Sequence, residues 1–458
     1  MCDELSRRHF LWRSGGGLGA IALAALEARG SEVLPRAKRV IQVFALGGVS
    51  HVDTFDYKPG LEKRDGMSME GKVETFFGKP GNLLKSPFEF KQHGRSGLWV
   101  SGLLPNLATV ADELCVVRSM TSKSNNHTPA TFLMNSGFTM AGFPSIGAWA
   151  SYGLGSEADD LPAFVVLPDP RGVPAGGPVN WTAGFLPASH QGVPFGTGAE
   201  PVKDVRPPAG EDPAARAAGL SLLGELDRAD LAANPGEGAL PARLRAYELA
   251  ARMQLRAPEA ADVDSESEDT KRLYGYDRKL TQGFARNCIL ARRLLERGVR
   301  FVQLFHGGAF GGNPRINWDA HEDVVANHSL QASILDQPLA GLLKDLRRRG
   351  MLEDTLVIFT TEFGRTPVTE GKGTRGRDHH PHAFSSWLAG AGVKAGTAYG
   401  ASDDVGYHVA EHPVATYDFH ATILKILGLD HEKLTWYHNG IRRRLTDVHG
   451  HVVEGLLA

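Results

Sequence analysis

Apolar residues in this chain gather in short unbroken runs closed by glycine or polar turns, and helix-like stretches separate the runs. Arg39-Val40-Ile41-Gln42-Val43-Phe44-Ala45-Leu46 ends in Gly47-Gly48, the pattern of a central parallel strand feeding a loop. It is the first predicted strand. Others are predicted at Leu114–Arg118, Phe164–Leu167, Val299–Phe305, Thr355–Thr360 and Ser385–Ala389, with helices such as Asp277–Arg297 and Ser329–Arg349 between them. This alternation predicts an α/β fold, a mostly parallel central sheet with helices on both faces and ligand sites at the carboxyl ends of strands. Between Gly196 and Asp269 the composition turns to Ala, Pro, Gly and acidic residues, with one helix-like piece around Leu244–Gln254. The reading is an inserted cap at about 196–269 within a domain running from 38 to 450, its acidic end Asp262–Asp269 a solvated loop.

Composition narrows the function classes. At 458 residues and 42% hydrophobic the chain can bury a large core, and its 50 Lys+Arg against 52 Asp+Glu leave a formal charge of -2. No nucleic acid or anionic membrane is implied as a global partner, so function must sit in a local site. Cys2, Cys115 and Cys288 lack metal-ligand spacing, and a Cys115 to Cys288 bond is left open. At the N-terminus, Ser6-Arg7-Arg8-His9-Phe10-Leu11 precedes an uncharged apolar run from Gly15 to Leu26. Paired arginines before such a run are a Tat signal pattern, assigned to residues 1–30. The run is too short for a stable membrane span, which needs about 20 residues. The expected partner is the Tat machinery and the expected location periplasmic or extracellular.

The candidate chemistry lies in His, Asp and Glu residues just after predicted strands: His51 and Asp53, His127, His306, Asp319 and His321, Glu362, and the run Asp378-His379-His380-Pro381-His382. Imidazole with carboxylate suits a divalent transition metal, and the absence of nearby thiols argues against structural zinc or iron–sulfur sites. Arg365, Lys372, Arg375 and Arg377 share the same Gly-rich loop and are candidates to hold an oxyanion. Trp181, Trp318 and Trp387 are candidates for stacking on a sugar ring, with core packing as the simpler role. Gly47-Gly48 and Gly307-Gly308 read as tight strand-to-loop turns.

Three segments carry a family resemblance. His127-Thr128-Pro129-Ala130-Thr131-Phe132-Leu133-Met134-Asn135-Ser136-Gly137 has the frame of the sulfatase nucleophile segment, C-x-P-S-R-x-x-x-x-T-G, with Pro129 and Gly137 in register. Leu356–Gly364 is similar to the strand plus D-H-G that supplies two metal ligands in that superfamily, and Val414–Leu429 resembles its closing segment. The chain thus resembles the alkaline phosphatase and sulfatase superfamily, nearest to an uncharacterised Tat-exported, sulfatase-like family that shares the pieces Trp318–His321 and Thr361–Pro367. It departs from the pattern as well. Gly47-Gly48 stands where an acidic ligand is expected, His127 fills the nucleophile slot, and Glu362-Phe363 replaces Asp-His.

The resemblance implies one or two divalent ions, zinc or manganese, with His51, Asp53, Asp319, His321, Glu362, Asp378, His379, His380 and His382 as candidate ligands. Asp319, His321 and His382 are the expected core. His127, as nucleophile, ligand or base, and Arg365 are the catalytic candidates. Such an ion lowers the pKa of bound water from about 15.7 to about 7, which suits hydrolysis of small-molecule or glycan sulfate or phosphate esters. The alternative function is a catalytically degenerate sulfatase-fold protein whose basic loop binds anionic glycans or a partner protein.

The export reading is directly testable. Replacing Arg7 and Arg8 together by Lys should hold the precursor in the cytoplasm, measured by cell fractionation, and unchanged secretion would sink it.

Overall fold

The computed structural model describes residues 36–196, 210, 212–233, 240–308, 317–371 and 373–458. The segment expected to be a Tat signal, Cys2 and Lys372 lie outside these residues, as does part of the 196–269 stretch. Every predicted strand forms. They are Arg39–Ala45, Leu114–Thr121, Phe164–Leu167, Phe301–His306, Thr355–Thr360 and Phe384–Gly390.

Nine strands make the central sheet. Along it lie Thr397–Tyr399, Leu114–Thr121, Phe384–Gly390, Thr355–Thr360, Arg39–Ala45, Phe301–His306, Phe164–Leu167 and Val193–Pro194, and Val414–Ala415 pairs with Leu114–Thr121. Arg39–Ala45 is central and parallel to both neighbours, Gln42 lying opposite Gln303 on one side and Ile358 on the other. The sheet is mostly parallel, as expected, and one interior strand is reversed. Phe384–Gly390 runs antiparallel to Thr355–Thr360 and to Leu114–Thr121. The connection explains it. A parallel neighbour needs a crossover of about a dozen residues or more, usually a helix. Between Thr360 and Phe384 the chain instead makes two antiparallel arms, Gly364–Glu370 and Arg377–His380, and returns from the edge it left by.

The period of two along the first strand sorts its side chains onto two cores. Ile41, Val43 and Ala45 join a cluster with helices Gln282–Glu296 and Val324–Arg348, while Val40 and Phe44 join one with Ile146–Leu154 and Thr416–Ile426. Cys288 lies in the first cluster and Cys115 in the second. The sheet separates them, so both are free buried thiols and the bond left open does not form. Trp181, Trp318 and Trp387 are all buried in these cores, which removes them as stacking surfaces. The inserted stretch holds two helices, Pro213–Ala233 and Leu240–Ala261, where one was expected. Its acidic end is mostly exposed, but Glu266 turns inward to Arg292 and Arg293. Among the described residues no helix is long and apolar enough to cross a membrane.

Three of the fully buried histidines, His306, His328 and His420, have one ring nitrogen bonded and the other enclosed. Trp318 donates to His306 Nδ1 at 3.0 Å, Ser50 N donates to His328 Nε2 at 3.1 Å, and His420 Nε2 donates to Met134 O at 2.9 Å. The other nitrogen of each ring has no partner. Burial holds His306 and His328 down to about 3 and His420 to about 4, against an ordinary 6.5. The unfolded chain therefore takes up these protons first as pH falls. Stability from the three is complete above pH 6.5 and should fall below it by about 1.4 kcal/mol per pH unit for each. Denaturant titrations from pH 7 to 4.5 measure that slope, and His420→Gln should reduce it by roughly one group's share.

Candidate metal centre

The carboxyl edge of the sheet gathers side chains from four loops and one reversed arm. After the first strand, Gly47 and Gly48 take φ of +113° and +74°. A Cβ on Gly47 would lie 2.6 Å from Asp319 N, and one on Gly48 would lie 2.8 Å from the Phe363 ring, so this turn requires glycine twice. The turn is a tight one, as read from the sequence, and its groups bind protein. Gly47 N donates to Glu362 Oε1 at 2.8 Å, while the carbonyls of Gly47 and Gly48 accept from Arg365. Thr355–Thr360 runs directly into Thr361, Glu362 and Phe363. His127 opens the helix His127–Ser136, which closes on Gly137 at φ +78° with the Gly137 amide donating to Leu133 O. Pro129 falls in its first turn, where a missing N–H costs no helical bond.

Four of these side chains meet at one point. His321 Nε2 lies 2.7 Å from Asp319 Oδ1, His379 Nε2 lies 3.2 Å from it, and the two imidazole nitrogens are 2.9 Å apart. His127 Nε2 lies 3.3 Å from the same oxygen, without a hydrogen-bond partner. Each ring is held from behind through Nδ1. His127 is bound by Glu362 Oε1 at 2.6 Å, His379 by Asn125 O at 2.6 Å, and His321 by Glu370. An Nδ1 facing a carboxylate or carbonyl carries the hydrogen, which leaves each neutral ring an Nε2 lone pair aimed inward. Two lone pairs 2.9 Å apart repel unless a proton or a cation sits between them. A tetrahedral ion with bonds of about 2.05 Å has ligand-to-ligand edges of about 3.3 Å, close to the spacings seen here. Donor set, orphaned nitrogen and spacing fit a divalent ion.

The electrostatics are uneven across the cluster. Burial opposes ionisation of Asp319, but the Arg365 guanidinium and three imidazoles outweigh it and hold the carboxyl far below its usual range. Burial also opposes charging His127, and Asp319 with Glu362 reverse that, raising it to about 9. His379 is pushed down to about 4, by burial first. Its ring is nearly enclosed, whereas His127 is 26% exposed.

The remaining sequence candidates stand apart from this point. His51 and His380 are fully buried, donating from Nε2 to Gly406 O at 2.8 Å and Tyr407 O at 2.5 Å, with ring centroids 6.1 Å apart. Asp53 is enclosed and pairs with Arg377 at 2.8 and 3.2 Å. His382 bonds Glu74 at 3.0 Å on the surface side, so His379 occupies the place expected for it. Glu362 supports His127, and Asp378 accepts three backbone N–H bonds, from Phe76, Phe77 and His379. Arg365 is fully buried with four of its five N–H donors engaged on Gly47 O, Gly48 O, Arg377 O and Asp319, so it serves the protein's own groups rather than standing free to hold an oxyanion. Arg375 is exposed and paired with Asp323. Phe363, where an imidazole was expected, is buried against His127 and His379 at 4.9 and 4.7 Å between centroids.

Glu370, Asn125, Phe76 and Phe77 escaped the sequence reading. Glu370 sits in an arm that reads as loop, Asn125 acts through its carbonyl, and the two phenylalanines reach the cluster only through the fold.

The Asp53–Arg377 pair invites a test. Arg377→Met would leave a buried carboxylate unpaired and should lower unfolding free energy by about 3–5 kcal/mol. Denaturant titration measures it, and a loss under about 1 kcal/mol would mean that Asp53 finds another partner.

Among solved structures the chain is similar to PsFucS1 sulfatase from Pseudoalteromonas sp., at 14% identity and TM-score 0.35, over 96% of this chain and 75% of that one. It is similar to a magnesium-bound variant of TAB5 alkaline phosphatase at 10% identity and TM-score 0.36, over 87% and 99%. A phosphonate monoester hydrolase from Silicibacter pomeroyi matches at 14% identity and TM-score 0.33, over 71% and 68%. No curated protein matches the sequence. The family model described as DUF1501, a protein of unknown function, matches residues 37–457, nearly all of the described fold. The chain belongs to the DUF1501 family.

Proposed function

We propose that this protein is an exported, metal-dependent hydrolase of sulfate or phosphate esters. The observation that carries the reading is the convergence of the His321 and His379 Nε2 lone pairs beside Asp319 Oδ1, each ring oriented by an acceptor on its far nitrogen. Asp319, His321 and His379 form the tightest triangle and would hold one ion, with zinc favoured by two imidazoles and a carboxylate. Bound there, a divalent ion supplies Lewis-acid polarisation of an ester oxygen and a water of lowered pKa. The sequence left room for a second ion. The neighbouring group of His321, Glu370 and Asp378 shares His321, and Asp378 is engaged by three N–H groups, which favours one.

His127 then has a separate task. Glu362 fixes its ring through Nδ1, and the two carboxylates beside the ring, Asp319 and Glu362, favour its protonated form. Its Nε2, 3.3 Å from Asp319 Oδ1, is placed to give that proton to a leaving-group oxygen bound at the cluster. Phe363 closes the wall behind it and keeps water from the Glu362 contact. The non-catalytic alternative relied on a basic loop. With Arg365 and Arg377 buried and engaged, only Arg375 of the described loop cations faces solvent, which weakens that reading.

Metal content and turnover of aryl phosphate and aryl sulfate esters test the assignment. His379→Ala should remove both metal and turnover. His127→Ala should keep the metal and lower kcat by about 10²–10⁴, with a smaller loss for 4-nitrophenyl than for phenyl esters, because a good leaving group needs less protonation. Wild-type protein that folds without retaining any divalent ion would overturn the proposal, and metal loss in His127→Ala would move that residue into the ligand set.

A further inference from the structure

Beside the cluster, residues 74–78 cross its mouth as a short strap with unusual anchoring. Asp378, fully buried, accepts from the backbone N–H of Phe76 at 2.6 Å and of Phe77 at 3.0 Å. Tyr407 bonds to the Glu74 amide at 2.8 Å, His382 to the Glu74 carboxylate at 3.0 Å, and Thr75 to Gly78 O at 2.9 Å. The strap carries two rings in a fixed relation. Phe76 stacks on His379 at 4.7 Å and meets Phe77 edge-on at 4.6 Å. Phe77 meets His321 edge-on at 5.2 Å and is 49% exposed.

An exposed phenylalanine is ordinary on a protein surface. This one is held by a buried carboxylate that accepts the backbone N–H groups of both phenylalanines. It stands against an imidazole of the candidate metal triangle. The three tryptophans that offered stacking surfaces in the sequence are enclosed, so Phe77 is the exposed aromatic that the described residues place in contact with the cluster.

Resting on the hydrolase reading, we propose that Phe77 is a specificity-determining platform that stacks on the ring of the substrate's organic group while the tetrahedral oxyanion occupies the metal cluster. The substrate class is then an ester of an aryl alcohol or of another alcohol with a flat apolar face, in preference to small aliphatic esters. Phe76 is a positioning residue in this scheme, because it touches His379 and Phe77 and leaves the outer face to its neighbour.

Equilibrium binding of phenylphosphonate and methylphosphonate to the zinc-loaded full chain measures the preference without requiring turnover. Wild type should favour the phenyl ligand by about three- to tenfold, the range expected of an aromatic pair. Phe77→Ala and Phe77→Leu should bring the ratio towards one, and Phe77→Trp should keep or increase it. Leu separates the aromatic face from mere apolar bulk. A wild-type ratio near one, or the same ratio in Phe77→Ala, overturns the platform whether or not esters are hydrolysed. Zinc content and turnover are read on the same samples, so a protein that binds phenylphosphonate selectively but hydrolyses nothing keeps the platform and loses the hydrolase. A protein that retains no zinc overturns both.

Discussion

Oδ1 of Asp319 is the atom on which this structure turns. It faces the Arg365 guanidinium and three imidazole nitrogens, and no single strand contributes more than part of that set. Arg365 extends the tie outward, binding the carbonyls of Gly47 and Gly48 after the first strand and of Arg377 in the returning arm. A fully buried guanidinium is costly unless its donors are engaged, and here groups from three separate loops take four of the five. The same requirement that keeps the charge tolerable also brings the loops together. Gly47 answers to it locally, since any side chain there would strike the backbone of Asp319.

Topology supplies the rest of the site. Parallel strands deliver their following loops to one edge, and in this sheet those loops carry Gly47, His127 and Glu362. His379 precedes a strand, and a parallel strand would have left it at the opposite edge. Because Phe384–Gly390 is reversed, the residues before it stand where residues after the other strands stand. The Arg377–His380 arm, bonded to Gly364–Glu370 and to Ala320 O through Arg377 N, then sets His379 against His321.

Histidine serves two opposite purposes in this protein. His306, His328 and His420 are enclosed away from any compensating anion strong enough to keep them charged, and they add acid sensitivity to the core. His127 has carboxylates on both sides and stays protonated well above neutrality. The difference lies in the neighbours and not in depth alone, because burial acts in the same direction on all four.

By itself, the sequence determined the elements. Short apolar runs placed Arg39–Ala45, Phe164–Leu167 and Thr355–Thr360 almost residue for residue, because a strand buried on both faces favours such a composition. It also determined which loops carry imidazole and carboxylate, since ligand chemistry admits few residue types. Strand direction was decided only in three dimensions, by a connection that folds into two antiparallel arms where a crossover helix would be needed. Partition of the late histidines was decided there too: His379 faces Asp319, His380 the Tyr407 carbonyl and His382 the Glu74 carboxylate, an outcome of the pleat and of the arm's pairing that no spacing encodes. Arg365 and Trp318 were legible as residue types, but burial decided their roles, and burial depends on what packs from far along the chain.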